Sequence, residues 1–221
     1  MKEEQLKKLG KIVQLPNFDE ILSQAENAIR LEKEKKSDFA HKHKIGTYIE
    51  NKIREKLNEA IASKIHIDKD RSLDAEDVQG GQDIIIYYEE VALFFIEVKS
   101  RWDSRNSISM SKLQLEKASE NSSKYSLISV DITKYQGSSN RYELPLEEII
   151  PLIKVVNDIG QNIQPLITNN LVAERDQTST VKLVDYRGII NQDFINTGND
   201  FDSFLNKLID YIDSSLPAGD N

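Results

Sequence analysis

The sequence predicts an α/β domain in which helices cover a β-sheet, and three patterns carry this prediction. Isoleucine and leucine recur at every fourth position over residues 45–61, which is typical of a helix with one buried face. Two apolar runs within residues 83–100 flank a short acidic turn at Glu89 and Glu90 and indicate a β-hairpin. Residues 125–132 indicate a third strand. Because both hairpin strands are apolar on both faces, we expect them to be central in the sheet and covered on each side.

The other elements follow from the same kinds of pattern. Helices are predicted over residues 2–36 with a break near Pro16, from Ser107 to Glu120 with Ser109 or Ser111 as the N-cap, over residues 146–160, and over residues 201–212. A polar loop is predicted over residues 64–82, and a pair of strands within residues 181–195.

Composition narrows the classes of function. The 221 residues are 38% hydrophobic and 30% charged, which is typical of a soluble globular protein. The absence of cysteine excludes a disulfide framework, a thiolate metal site and a cysteine nucleophile. No apolar run approaches the roughly 20 residues that a membrane span needs, and the N-terminus lacks the features of a signal peptide. A cytoplasmic protein without a membrane partner is therefore expected.

The distribution of charge bears on nucleic-acid binding. The net charge of -8 argues against a protein that coats DNA non-specifically. Residues 125–221 contain 7 Lys and Arg against 14 Asp and Glu, so most of the acidity lies there. We therefore expect any contact with nucleic acid to lie within the first 124 residues.

One carboxylate interrupts the predicted buried helix face. At about 100° per residue, Glu50 lies close to Leu57 and Ile61 on the helix surface, within the apolar stripe. A carboxylate in such a position needs a cation, a metal or a hydrogen-bond donor.

A second group of ionisable residues belongs to the predicted hairpin. Side chains alternate between the faces of a strand, so Glu97 and Lys99 project to the same side. Pairing outward from a two-residue turn places Asp83 opposite Ile96, and a one-residue bulge would align it with Glu97. Two carboxylates suit Mg²⁺ or Mn²⁺, which would polarise a phosphoryl oxygen and activate water. Lys99 would orient that water and offset the charge on phosphorus.

An E-x-K pattern on a strand more often marks only a solvated edge. Three observations favour the chemical interpretation instead. The strand around Glu97 and Lys99 is apolar, Gly80 and Gly81 shortly precede Asp83, and a further carboxylate is already placed on the preceding helix.

The ordered set of motifs resembles one family. The set consists of Gly46-x₃-Glu50, Gly80-Gly-Gln-Asp83, Phe95-Ile-Glu97-Val-Lys99-Ser100, the segment from Met110 through Gln114 to Ala118, and Tyr125-Ser-Leu-Ile. Over about residues 41–132 it resembles the NO VEIN C-terminal domain, a PD-(D/E)xK-like domain often found at the end of large ATPase or helicase proteins.

The resemblance implies a PD-(D/E)xK restriction-endonuclease-like core, with a mixed sheet flanked by helices. By this similarity Asp83 and Glu97 would bind Mg²⁺ or Mn²⁺, and Lys99 would be the catalytic lysine. Glu50 would be a further acidic group at the metal, and Gln114 would face the site. The implied organisation is a helical N-terminal arm over residues 1–40, the core over 41–135, and an acidic α+β extension over 136–221.

The basic stretch after the hairpin contains the candidate nucleic-acid contacts Arg101, Trp102, Arg105 and Lys112. The basic side chains would hold phosphates and Trp102 would stack on an unpaired base. Alternatively, this stretch is a solvated loop that Trp102 anchors to the core.

The favoured function is metal-dependent hydrolysis of phosphodiester bonds, with DNA as the expected partner and a role in restriction or defence by analogy with the fold. The alternative is a catalytically silent module that uses the same fold to bind nucleic acid or a partner ATPase or helicase. A third hypothesis is that the acidic C-terminal segment covers the cleft as a DNA mimic.

Overall fold

A computed structural model describes residues 10, 13–67, 71–78, 80–104, 107–140, 143–175 and 185–217. Within α1 the side chains of residues 34–39 and 41 are not described, nor are those of residues 170–175 in α4. The chain divides into two compact units, Met1–Ile45 and Gly46–Asn221.

Helices and strands of the described residues are numbered separately, each in chain order. The helices are α1 (Phe18–Lys64), α2 (Lys112–Asn121), α3 (Leu146–Ile149), α4 (Ile159–Arg175), α5 (Gln192–Asn196) and α6 (Phe201–Ser215). The strands are β1 (Leu73–Asp77), β2 (Ile84–Tyr88), β3 (Val91–Arg101), β4 (Ile108–Ser111), β5 (Tyr125–Asp131), β6 (Ile153–Val156) and β7 (Arg187–Ile190).

The main sheet has five strands in the order β1-β2-β3-β5-β6. The pairs β1–β2, β2–β3 and β5–β6 are antiparallel, whereas β3 and β5 are parallel, so the sheet is mixed. The predicted hairpin is central, as its apolar faces require. A separate two-stranded ribbon pairs β4 with β7.

Helices pack on both faces of this sheet. Phe95 on one face joins a core with Leu115 of α2 and Ile163 of α4. The neighbouring Phe94 projects to the other face, where its ring contacts those of Phe204 and Tyr211 in α6 at centroid distances of 6.3 and 5.6 Å. The mixed α/β architecture predicted from the sequence is therefore confirmed.

The α1 stripe is also as predicted. All five stripe positions are buried, namely Ile45, Ile49, Ile53, Leu57 and Ile61. On the same helix the Asn58 amide bonds both the carbonyl and the N–H of Ala75, and so ties α1 to edge strand β1. In the N-terminal unit, the described part of α1 leaves Leu22 and Ile29 about half exposed.

Three predicted elements are wrong in type or extent. The predicted loop over residues 64–82 contains β1, whose alternation shows only at Leu73 and Ala75. The helix predicted from Ser107 begins only at Lys112, after β4, although Ser111 is its N-cap as one alternative had it. Over residues 146–160, β6 interrupts the predicted helix at Ile153–Val156, because the run Ile-Lys-Val-Val pairs with β5 along the sheet.

The predicted pair of strands within residues 181–195 is half right. Residues 187–190 form β7, whereas residues 192–196 form α5 with Asn191 as its N-cap. Residues 181–184 lie outside the described part of the chain. None of the described helices combines the length and the apolarity that crossing a bilayer requires.

The C-terminal segment contributes to the core of the larger unit. The amphipathic helix predicted over residues 201–212 is present as α6, and six of its apolar side chains are buried. Deletion of residues 156–221 would remove α4 and α6 from opposite faces of the sheet. Such a deletion therefore does not test the hypothesis of a DNA-mimicking cover.

We predict that Phe204→Ala destabilises the protein by about 3–5 kcal/mol, because it leaves a cavity between α6 and the sheet. Phe204 is 2% exposed, whereas Phe194 is 38% exposed, so Phe194→Ala is the matched control and should change stability much less. The measurement is urea-induced unfolding followed by circular dichroism. Equal effects of the two substitutions would contradict the packing of α6.

Candidate functional site

A fully buried carboxylate lies in the middle of the main sheet. Glu97 on β3 is 0% exposed. Its neighbours along the strand, Ile96 and Val98, are buried apolar residues. An ionisable group in such surroundings is costly unless other groups compensate it.

Three side chains supply that compensation. The Lys99 ammonium and the Gln114 amide both donate hydrogen bonds to Glu97 Oε1. The Tyr125 hydroxyl lies 3.3 Å from Glu97 Oε2 and 2.7 Å from the carbonyl oxygen of Gly81. The donors come from β3, α2 and β5, so three separate elements meet at one carboxylate; we call these four residues the Glu97 cluster.

The capping of α2 holds Gln114 in place. Its side-chain oxygen accepts a hydrogen bond from the Ser111 N–H at 2.8 Å, and its own N–H donates to the Ser111 hydroxyl. This capping box satisfies backbone groups at the start of the helix. The amide nitrogen of Gln114 is thereby directed at Glu97.

Asp83 is brought beside Glu97 by a β-bulge. Near the turn Tyr87 pairs with Ala92, but beyond the irregularity at Ile86 and Tyr87 the register shifts by one, and Ile84 pairs with Ile96. Asp83, one residue further out, is therefore level with Glu97. Its carboxylate accepts a hydrogen bond from the Val98 N–H at 2.8 Å. The bulge is the one that alignment of the two carboxylates requires.

Glu50 of α1 supplies a third carboxyl. It is half-buried, and the charges of Asp83 and Lys99 both influence its pKa. A Cβ added at Gly46, one turn earlier, would lie 3.7 Å from Glu50 Oε1, an ordinary contact distance. The helix thus brings this carboxyl to the same end of the sheet as Asp83.

Burial and the charges of neighbouring groups shift the pKa values of the ionisable residues in the site. Burial raises the pKa of Glu97 to about 8, with Lys99 opposing the rise and Asp83 adding to it. Burial raises the pKa of Glu50 to about 7, and Asp83 adds to that rise. Burial lowers the pKa of Lys99, but the carboxylates of Glu97 and Asp83 outweigh it and the net pKa is raised. Burial also raises the pKa of Tyr125.

Whether a divalent cation fits the site depends on the number and type of the ligand atoms present. Among the described residues, no group of three or more His, Cys, Asp or Glu side chains is placed to hold a metal ion, so Asp83, Glu97 and Glu50 do not assemble as a three-ligand set. Mg²⁺ nevertheless needs only one or two protein carboxylates and keeps several waters. Asp83 and Glu97 fit that smaller requirement, since they are adjacent hard-oxygen ligands whose mutual repulsion Lys99 offsets in part.

The predicted nucleic-acid contacts have different surroundings. The Arg101 guanidinium is largely buried and pairs with Asp131 at 3.2 Å. The Trp102 indole N–H donates to the Ser100 hydroxyl at 2.8 Å. Lys112 lies 3.8 Å from the Glu116 carboxylate. Arg105 lies outside the described residues.

Two residues of the site received no role from the sequence. Tyr125 opens β5, and its pairing opposite Phe95 of β3 brings its hydroxyl to Glu97. Gly81 has a φ of +92°, and a Cβ there would lie 2.9 Å from the Leu113 carbonyl oxygen. Both residues lie within the sequence motifs that resemble the family. Their contacts, however, depend on packing between segments that are separate in the sequence.

One family model covers the residues of this site. The family model described as Protein NO VEIN, C-terminal, matches residues 48–142. That range includes Glu50, Asp83 and all members of the Glu97 cluster. No match was found among curated proteins or among solved structures.

We predict that Tyr125→Phe lowers the free energy of unfolding by about 1–3 kcal/mol, because the one hydroxyl proton that lies between the Gly81 carbonyl and Glu97 is lost in a buried place. Tyr87→Phe on β2 is the matched control, since the hydroxyl of this half-buried tyrosine has no partner among the described residues. Chemical denaturation of both variants is the measurement. A cost no larger than that of the control would mean that the Tyr125 hydroxyl bonds contribute nothing net.

Proposed function

We propose that residues 48–142, which match the family model described as Protein NO VEIN, C-terminal, form the centre of a metal-dependent nuclease with a PD-(D/E)xK-like core. The arrangement supports this interpretation: a helix with Glu50, a mixed sheet with Asp83, Glu97 and Lys99, and a second helix with Gln114. These are the elements that the resemblance implies. The substrate we propose is DNA.

The observation that carries the proposal is the convergence on Glu97. The start of β2, β3 itself and α2 place a second carboxylate, an ammonium and an amide around one buried carboxylate. Burying so many ionisable groups opposes folding. Clusters of groups with perturbed pKa values are characteristic of functional sites.

Each residue has a role in the proposed reaction. Asp83 and Glu97 would hold Mg²⁺ or Mn²⁺, which when bound supplies Lewis-acid polarisation of the scissile phosphate and an activated water. Lys99 donates hydrogen bonds to the phosphoryl oxygens as negative charge develops on them. Gln114 keeps the Glu97 carboxylate in one orientation, and Glu50 adds acidic character beside Asp83.

A second candidate function is a catalytically silent module that binds nucleic acid or a partner ATPase or helicase. One observation favours it: both oxygens of Glu97 already have hydrogen-bond partners within the protein. A carboxylate satisfied in this way fits a purely structural role as well as a catalytic one. The distinction depends on whether a metal replaces some of those donors.

We predict that the protein cleaves plasmid or single-stranded DNA in Mg²⁺ or Mn²⁺ and that Lys99→Ala lowers the rate at least about 100-fold, as expected for loss of a group that stabilises transition-state charge. Lys64→Ala is the matched control, since Lys64 is exposed at the end of α1, about 21 Å along the helix from Glu50. The measurement is the rate of nicking on gels, with EDTA as the metal-free reference. Cleavage that survives in Lys99→Ala would place the activity elsewhere.

We also predict that Mn²⁺ binding requires Asp83 and Glu97, because they are the adjacent carboxylates. Asp83→Asn and Glu97→Gln should each weaken Mn²⁺ affinity at least about tenfold in a calorimetric titration, since each removes one charged ligand. Asp74→Asn, on the exposed side of β1, is the control. If wild-type protein neither binds Mn²⁺ nor cleaves DNA, the silent module is the better description.

A further inference from the structure

The ribbon of β4 and β7 brings the C-terminal segment next to the start of α2. In this antiparallel pair Ser111 is opposite Arg187, and Met110 is opposite Gly188. Directly opposed residues of such a pair have Cα atoms roughly 4.5–5.5 Å apart. Arg187 is therefore a close neighbour of the residue that caps α2, although 76 positions separate the two in the sequence.

Tight packing determines which side of the ribbon Arg187 occupies. A Cβ added at Gly188 would lie 2.8 Å from Leu115 Cδ2, so the inner side of β7 is in direct contact with α2. Side chains alternate along a strand, and Arg187 consequently projects to the outer side, where it is exposed. The register of β7 thus places an arginine on the surface beside the capping box.

This arginine has no partner within the described part of the chain. None of the described ion pairs, hydrogen bonds or ring contacts includes its guanidinium. The preceding residue, Tyr186, has its ring 5.6 Å from the Lys112 ammonium. Lys112 directly follows Ser111 in the chain, so Arg187 and Lys112 both neighbour the residue that caps α2. The Lys112 ammonium also lies 3.8 Å from the Glu116 carboxylate.

Two hydrogen bonds connect Ser111, the residue opposite Arg187, to Glu97. Ser111, opposite Arg187, donates its N–H to the Gln114 side chain. Gln114 in turn donates to Glu97. Arg187 and Lys112 are therefore neighbours of Ser111, one across the ribbon and the other along the chain, at the end of α2 that contacts the Glu97 cluster.

We propose that Arg187, together with Lys112, binds backbone phosphates of a nucleic-acid strand on either side of the phosphate held at the Glu97 cluster. The proposal rests on the nuclease function proposed above and adds a substrate contact from outside residues 48–142. It also revises the expectation that nucleic-acid contacts lie only within the first 124 residues. Although residues 125–221 are acidic on balance, β7 directs one of their few cations to this place.

Guanidinium groups recognise phosphate by paired, charge-assisted hydrogen bonds, which makes arginine better suited than lysine to such a contact. One phosphate contact in a single strand contributes roughly 0.7 to the slope of log affinity against log salt concentration. Loss of the contact therefore has two measurable effects, a weaker affinity and a shallower dependence on salt.

The test is fluorescence anisotropy with a labelled single-stranded oligonucleotide in EDTA, where no metal-dependent cleavage interferes. We expect Arg187→Ala to weaken binding roughly tenfold, as for loss of a charged hydrogen bond, and to lower the salt slope by about 0.7. Arg187→Lys should lose less. The matched control is Arg71→Ala, since Arg71 bonds Glu89 at the hairpin turn, the far end of β3 from Lys99, and its loss should leave affinity and slope unchanged.

Cleavage of bis(p-nitrophenyl) phosphate by wild type and Lys99→Ala, run in parallel, tests the proposed function separately, because this substrate has a single phosphodiester. Wild-type oligonucleotide affinity in Arg187→Ala, or equal losses in Arg187→Ala and Arg71→Ala, would overturn the inference while leaving the nuclease intact. Failure of wild type to bind the oligonucleotide would overturn it as well. Arg187-dependent binding without cleavage of either substrate would support the phosphate contact and contradict the nuclease.

Discussion

The burial of Glu97 is the constraint on which the rest of the site depends. A carboxylate at 0% exposure must be compensated, and the compensation comes from Lys99, Gln114 and Tyr125. Lys99 belongs to the same strand as Glu97, whereas Gln114 and Tyr125 come from α2 and β5. The hydrogen bonds to one side chain therefore fix the start of α2, the start of β5 and the loop at Gly81 relative to β3.

The C-terminal segment matters to the site as well as to the core. α4 and α6 close opposite faces of the sheet, so the family-matched residues 48–142 depend on them for burial. β7 adds a strand beside β4 and an exposed arginine beside the cap of α2. The acidity of this segment is therefore compatible with a local cationic surface, because net charge says nothing about where individual charges are placed.

Local sequence patterns were sufficient to predict elements whose apolar residues repeat regularly within one helix or one strand. The stripe of α1 and the amphipathic α6 follow from helical periodicity, and the central hairpin follows from its apolar faces. Strand alternation alone places Glu97 and Lys99 on one side. Local patterns failed to predict β1, β4 and β6 as strands. The reason is that these strands are short and depend on pairing with a neighbouring strand.

Tertiary structure alone decided which of the candidate residues meet. The sequence by itself determined that Asp83, Glu97 and Lys99 belong to one hairpin and that Glu50 interrupts an apolar helix face. The bulge that aligns Asp83 with Glu97, and the parallel pairing that brings Tyr125 to the same carboxylate, became visible only in the fold. The physical reason is that register and strand order are set by packing between distant segments, whereas periodicity reports only the neighbours along the chain.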